Sequence, residues 1–514
     1  MRRAALGLMQ CGLAIASSAV LEAQRAQPDS LLTLERAVET AVVAHPLVRL
    51  AEQRIAGWRG VRLQSAAAFD GTVSSAASSG EAKQISSGVA GSSGNKVNTA
   101  RETGYALRYD QAFRFGATLS QELSVNQVSQ LGGFGSESGS ATAQLQLGIP
   151  LLRNRGGEVT RMMEQAAITN VDGAIADARH VAAQVVAEVA VAYWNYVAAD
   201  ARLVVHQRTE DRAARLAEET RQLVAADERP ASDTLQLLAN LARRRATRLN
   251  EEQNRLSAQE RLGLAMGLDG ASALSIPKSA TAFPALPTEP DEFDRAPERV
   301  TQRLIATALD QRGDLLATTR RVRAAELELR SATSGLRPQM DLAVVAGYSG
   351  FVQGAGALGG FFAPLHRNVP GLNSTVQLSV RMPTSNAAAR GWRDAAIASA
   401  TQRDIDRADT KRRIMTGVSV ATVAVRQARL ALIEATRSLD YAAQAVENER
   451  EKYRRSGATL FDVINSEDAM LTASLGEISA RQTHAMAIAT LRFVSGSLID
   501  DSGRVRIAEL SRLP

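Results

Sequence analysis

Residues 142–149 alternate strictly. Ala143, Leu145, Leu147 and Ile149 fall on one side, Thr142, Gln144, Gln146 and Gly148 on the other, and the pattern stops at Pro150. A period of two describes a strand with one apolar and one polar face. After the Gly156-Gly157 turn the period becomes that of a helix, running without an internal proline to about Ala226, where Ala-Asp-Glu-Arg-Pro breaks it. A second helical run follows to Leu268. At ~1.5 Å per residue the first arm, Glu158 to Ala225, would be roughly 100 Å long, more helix than a compact core can cover.

Upstream, Thr33 with Glu35 opens a helix that ends at His45-Pro46, and a second runs from Leu47 to about Ala67. A strand at Phe69 to Ala77 is expected to dissolve into a Ser/Gly/Ala-rich loop reaching Thr103. From Tyr105 to Val125 the odd positions are mostly apolar or aromatic, whereas the even ones include Arg108, Asp110, Arg114, Ser120 and Glu122. This reads as a hairpin turning near Gly116, either of a membrane barrel or of a soluble sandwich. Ile276 to Pro297 holds five prolines and predicts an extended connector. Helices Arg299 to Gln311 and Leu315 to about Ser334 come next, then a strand Asp341 to Val352 and a Gly/Phe-rich loop to Pro370. A further alternating strand, with Val376, Leu378, Val380 and Met382 on one side, stops at Pro383. A turn at Arg390-Gly391 opens a helix to about Arg454, Ser456-Gly457 breaks it, and a last helix reaches Leu498.

The pattern is therefore duplicated. Pro150 and Pro383 close equivalent strands 233 residues apart, and Leu268 and Leu498 end equivalent helices 230 apart. The organisation expected is a leader at 1–23, a first repeat at 24–275 (long helical hairpin 157–268), a connector at 276–297, a second repeat at 298–499 and a tail at 500–514. The fold class is mainly α with a small transmembrane β part, the paired hairpins forming an α-helical barrel. Leu235, Leu238, Leu249 and Leu256 recur at helical spacing and predict coiled-coil packing of the arms. Four or so strands per chain, plus the hairpin, fall short of the ~8 of the smallest membrane barrels, so closure into a β-barrel requires several chains.

Composition agrees with long helices: aromatics are 4% of the 514 residues. The 60 basic residues are interspersed with 54 acidic ones, without a basic patch carrying aromatics, so no nucleic-acid partner is expected. Met1-Arg2-Arg3 and the apolar run to Val20 read as a secretory signal. Cys11 is the single cysteine and lies inside that run; Gln10 before it argues against a lipid anchor. The five histidines show no metal-ligand spacing, and Gly354-Ala-Gly-Ala-Leu-Gly359 is not followed by the helix a dinucleotide needs. No enzyme, metal or cofactor is expected. Nine of the 21 aromatics cluster within Tyr105 to Phe134 and Tyr348 to Phe362, as core packing or as a membrane-interface girdle.

Three stretches together resemble the TolC-type outer-membrane efflux protein (outer membrane factor) family: Thr33 to Val38 with His45-Pro46, the junction Gly148-Ile-Pro-Leu-Leu-Arg-Asn-Arg-Gly156, and the break Tyr453 to Ile464. The resemblance covers residues 31–500. It implies a homotrimer with a shared twelve-stranded barrel in the outer membrane and helices across the periplasm. It also implies a passive exit duct of an efflux or type I secretion system, docked to a periplasmic adaptor (membrane fusion) protein and an inner-membrane transporter. The adaptor-contacting tips would fall on Val224, Ala225 and Asp227 and on Arg454, Ser456 and Gly457. A constriction would involve Asp462 and Asn465, with Glu467 and Asp468 nearby and a latch between Tyr453 and Asp233. Asp462 reads equally as a helix cap. Pro150, Gly156, Pro383 and Gly391 mark the strand–helix junctions. The alternative is a non-conducting periplasmic helical rod or structural adhesin, which leaves the strands unexplained.

Overall fold

The computed structural model describes residues 31–86, 96–131, 137–225, 231–286, 292–354, 361–366, 371–455, 457–500 and 505–506. The leader and Cys11, Phe134, the glycine-rich run 355–360 and most of the tail lie outside the described residues. Helices α1 (Leu34–Ala44) and α2 (Pro46–Ala66) precede strands β1 (Thr72–Ser86), β2 (Lys96–Ala112), β3 (Thr118–Leu131) and β4 (Glu137–Pro150). Then come α3 (Glu158–Ala225) and α4 (Ala231–Ala265). The second half runs α5 (Pro297–Gln311), α6 (Gly313–Ser334), β5 (Gln339–Gln353), β6 (Asn373–Arg381), α7 (Ala387–Arg454) and α8 (Leu460–Val494). Helices α3 and α7 both have 68 residues, and α4 and α8 both have 35.

Two compact units result. The first gathers residues 1–53, 176–316 and 409–514. Its main core is built on α3, where Val185, Val186, Val189, Ala190, Tyr193, Trp194 and Tyr196 are fully buried with Leu34, Val38 and Ala41 of α1. Deleting a buried ring such as Trp194 typically costs ~3–5 kcal/mol. The tyrosine hydroxyls fasten the connector: Tyr193 donates to the Leu32 carbonyl at 2.9 Å and Tyr196 to that of Pro277 at 3.3 Å. Leu32 and Ser279 form a parallel bridge. α3 contains a window apolar enough to cross a membrane, but half of it is buried within the protein, so its apolar side chains serve packing.

The second unit, residues 54–175 and 317–408, holds the sheet. All its strands are antiparallel neighbours in chain order, β1-β2-β3-β4-β5-β6. The register puts Val73, Tyr109, Gln121, Leu145, Ala346 and Ser374 in one row, and Leu107, Leu123, Ala143 and Tyr348 in another. One face is thus mostly apolar around these rows, whereas farther along β1 and β2 the same face carries Glu81, Lys83 and Arg101. The opposite face carries Arg108, Asp110, Ser120, Glu122, Gln144 and Gln146. Arg108 pairs with Asp110 at 2.7 Å.

Several sequence expectations change. The first strand starts at Thr72 rather than Phe69, and the chain re-enters the sheet at Lys96, inside the stretch expected to be loop. Serines and small residues there satisfy a pairing pattern that depends on neighbours, not on local apolarity. The hairpin β2–β3 is not an accessory; it lies between β1 and β4. α4 ends at Ala265 and α8 at Val494, before Leu268 and Leu498, because Gly267 (φ 78°) and Gly496 (φ 73°) take left-handed conformations. Leu268 N then donates to the Gly263 carbonyl and Ser497 N to that of Arg492, the closure of a Schellman turn. Finally, Leu235, Leu238, Leu249 and Leu256 are exposed, while Leu237 and Leu241 make the internal contacts of α4.

Candidate functional site

The turn between α7 and α8 is built by local hydrogen bonds. Gly457 N donates to the Lys452 carbonyl at 2.8 Å. Thr459 then caps α8 reciprocally: Asp462 N donates to Thr459 Oγ1 at 3.3 Å, and Thr459 N donates to Asp462 Oδ2 at 2.9 Å. Bonds from the Thr459 hydroxyl first, and then from its backbone N–H, hold the Asp462 carboxyl below the usual carboxylate range. Asp462 and Asn465 are both exposed, one turn apart. The cap contact and an outward-facing charge therefore coexist in the same carboxylate.

Tyr453 packs with Leu216, Ala217, Leu237, Leu460 and Ile464 in a small apolar cluster joining α3, α4, α7 and α8. Asp233 belongs to the first turn of α4, but its side chain lies outside the described residues, as do Asp227 and Ser456. Val224 is half-buried and Ala225 exposed at the end of α3. Arg454 is exposed and pairs with Glu451 at 3.2 Å, and Arg455 pairs with the same glutamate at 2.7 Å.

Above the turn lies a charge network that sequence reasoning did not find. Glu467, with its side chain 4% exposed, accepts from Arg450 at 2.5 Å. Asp468 pairs with Arg244 and, at 3.4 Å, with Arg243. Burial pushes the Arg212 guanidinium down from its ordinary range, opposed by the nearby Glu467. Glu467 and Asp468 are thus engaged within the hairpins, while Asp462 and Asn465 stay outward. One signal was available: Arg450 lies within about one turn of the end of α7 and Glu467 within about two turns of the start of α8, so a tight hairpin brings them near each other.

The first strand–helix junction is a close backbone approach. β4 ends at Pro150, and Asn154 (φ 63°) with Gly156 (φ 67°) and Gly157 (φ 74°) turn the chain into α3. Asn154 Oδ1 accepts from Val159 N at 2.9 Å, capping the helix. A Cβ on Gly157 would lie 2.0 Å from the Arg114 carbonyl oxygen, and one on Gly116 (φ 97°) 2.7 Å from Gly157 N. Arg114 pairs with Glu164 at 2.7 Å and lies over the Phe69 ring at 4.7 Å. Hydrogen bonding from Arg114 holds the Glu164 carboxyl below its ordinary range. At the second junction Pro383 lies just past β6, and Asn386 (φ 45°) makes the turn, donating from Nδ2 to the Leu336 carbonyl at 3.1 Å. Gly391 does not open the helix: α7 begins at Ala387, and a Cβ at Gly391 would meet open space.

Residues 96–268 match the model of the outer membrane efflux protein family. No curated protein matches the chain. Among solved structures, the Campylobacter jejuni CmeC outer membrane channel is 14% identical with a TM-score of 0.66, covering 94% of this chain and 90% of that one. The outer membrane protein VceC of Vibrio cholerae is 16% identical with a TM-score of 0.63, over 90% and 96%. The open-state MtrE outer membrane channel of Neisseria gonorrhoeae is 16% identical with a TM-score of 0.60, over 90% and 88%. At these identities the structures speak for the fold, and the sequence match adds the family resemblance. The chain thus has the fold of these outer-membrane channels, and its residues 96–268 resemble the outer membrane efflux protein family.

Proposed function

We propose that this chain is an outer-membrane efflux channel, the passive exit duct of a tripartite efflux or type I secretion system. It works as a homotrimer, with a periplasmic adaptor (membrane fusion) protein and an inner-membrane transporter supplying energy. The observation that carries the reading is the sorting of β2 to β6 into an apolar face, with Leu107, Tyr109, Leu123, Leu145, Val344 and Leu378, and a polar face with Arg108, Asp110, Glu122, Gln144 and Gln377. Such a sheet suits lipid on one side and water on the other. A second observation supports assembly: Leu235, Ala242, Leu249 and Leu256 are all exposed at heptad spacing on α4. A stripe of that kind is buried by another helix, and within the described protomer none covers it.

In this reading the two halves, residues 24–275 and 298–499, contribute equivalent hairpins, and the duct does no chemistry. Repeated about a three-fold axis, Asp462 presents three carboxylates to the passage and Asn465 three amides, which attract cations at the narrowest point. The Tyr453 cluster and a latch to Asp233 hold that end closed. The tips at Val224, Ala225, Asp227, Arg454, Ser456 and Gly457 form the adaptor contact, and engagement there separates the hairpins. The test is fractionation followed by planar-bilayer recording. A heat-modifiable trimer in the outer-membrane fraction that opens single channels is expected. A soluble or non-conducting protein would leave the rod reading in its place.

A further inference from the structure

The closed barrel of this protein can be counted from its own sheet. Both ends of the β1-β6 order are open edges among the described residues, and an unpaired edge cannot face hydrocarbon, where its N–H and C=O groups would lack partners. The inserted hairpin β2–β3 is fixed in the sheet rather than hung outside it. Each of its strands is paired along its length on both sides. Its turn is held too: Phe113 N donates to the Ala117 carbonyl at 2.8 Å, Gly116 and Gly157 approach as bare backbone, and Arg114 grips Glu164 of α3. The hairpin also carries the same facial sorting as its neighbours, with Tyr105, Leu107 and Tyr109 on the apolar side and Arg108, Asp110 and Glu122 on the other. An exposed aromatic ring lies at each end of the sheet, Phe115 at the β2–β3 turn and Phe362 beyond β5, whereas Phe351 is on the polar face of β5 opposite Ser140.

We infer that β6 of one copy pairs with β1 of the next, and that three copies close an eighteen-stranded barrel instead of the twelve strands that the family resemblance implies. The occupant of each edge is a second copy of this chain. The six strands described are below the ~8 of the smallest barrels, and exposed apolar side chains reach both edges, Val73 at the start of β1 and Val376, Leu378 and Val380 on β6. With strands ~4.8 Å apart and tilted ~40°, eighteen give a backbone diameter of about 36 Å, against about 24 Å for twelve. The barrel is then about half as wide again, and substrate size is set at the helical tips rather than in the membrane. The added lumen wall is the charged face of β2 and β3.

This inference rests on the trimeric duct proposed above, and one experiment separates the two. In a Cys11→Ser background, Ser379→Cys on β6 is combined in turn with Ser74→Cys, Ser75→Cys, Ala76→Cys, Ala77→Cys and Ser78→Cys on β1. Outer membranes are oxidised and run without reductant. The intrachain pair Ser124→Cys with Thr142→Cys, residues directly opposite in β3 and β4, reports strand pairing and oxidation. Subunit mass is measured on the detergent-extracted protein, and the strands are counted by single-particle imaging. Covalent trimers at one or two neighbouring β1 positions, with eighteen strands, are expected. A trimer by mass in which the control pair closes but no β6–β1 pair does, or one that images with twelve strands, overturns the inference and leaves the trimeric duct standing. Cross-links that stop at two copies mean a twelve-stranded dimer and overturn both.

Discussion

Removing the Glu467 carboxylate tests whether the tip of α7 and α8 is held shut from within. Glu467 is the acceptor of Arg450 at 2.5 Å and lies close to the desolvated Arg212, so Glu467→Gln leaves two guanidinium groups facing each other without a counter-charge. Breaking a fully buried pair costs ~3–5 kcal/mol. Arg450 is 34% exposed, so water screens part of that loss, and a charge-assisted hydrogen bond of about 1–3 kcal/mol is the better measure here. Each 1.4 kcal/mol is a tenfold change in an equilibrium, so the closed tip should lose roughly 5- to 150-fold in its balance against open forms. The assay is a double-mutant cycle of Glu467→Gln, Arg450→Gln and both, read as open probability in planar bilayers and as leakage of a large antibiotic into cells. Non-additivity of the two single changes is expected. Effects that add within about 0.5 kcal/mol would refute the pairing as a brace.

Three further outcomes follow from the geometry. Asp462→Asn keeps an acceptor for the Thr459 cap but removes the charge, so cation selectivity should fall at neutral pH with the trimer intact. Because the folded carboxyl titrates below its usual range, the native selectivity should persist as pH falls through ~3.9 and disappear only lower; an unchanged reversal potential in the variant would sink the constriction role. Gly157→Ala, with its Cβ 2.0 Å from the Arg114 carbonyl at a φ of 74°, should cost ~1–3 kcal/mol or more and reduce the yield of assembled trimer. Gly156→Asn, in open space at a φ of 67°, should be tolerated, and equal yields from the two variants would contradict the close approach. His484 is buried, which lowers its pKa, and Arg429 adds in the same direction. The unfolded chain therefore binds the proton more readily, so stability is complete above ~6.5 and declines as pH falls below that. Burial also lowers His180 and His206, so His484→Leu should flatten only part of the fall in melting temperature between pH 7.5 and 5.5, and an unchanged slope would exclude His484.

The helices and their order were legible because their signals are local. A 3.6-residue period, a Thr cap at Thr33 and breaks at His45-Pro46 and Gly457 each act within one turn, and the long arms α3 and α7 follow from the lack of any proline inside them. The alternating strand before Pro150 was legible for the same reason. The first half of strand β2 was not, since Lys96 to Gly104 has no apolar alternation and takes its conformation from pairing with β1 and β3. The leucines of α4 show the same division: their spacing announced a coiled coil, but whether Leu235 or Leu237 faces inward depends on the rotation of the helix against α3, α7 and α8, which no local pattern encodes. Asp462 could be read as a cap or a lining charge from its position, and the structure shows the cap with the side chain exposed. Glu467 and Asp468 became internal braces only once three helices, α4, α7 and α8, brought Arg450, Arg243 and Arg244 within reach. Local periodicity and backbone chemistry thus determined the elements, whereas the placement of the inserted hairpin and the partners of each charge were decided by contacts between residues far apart in the chain.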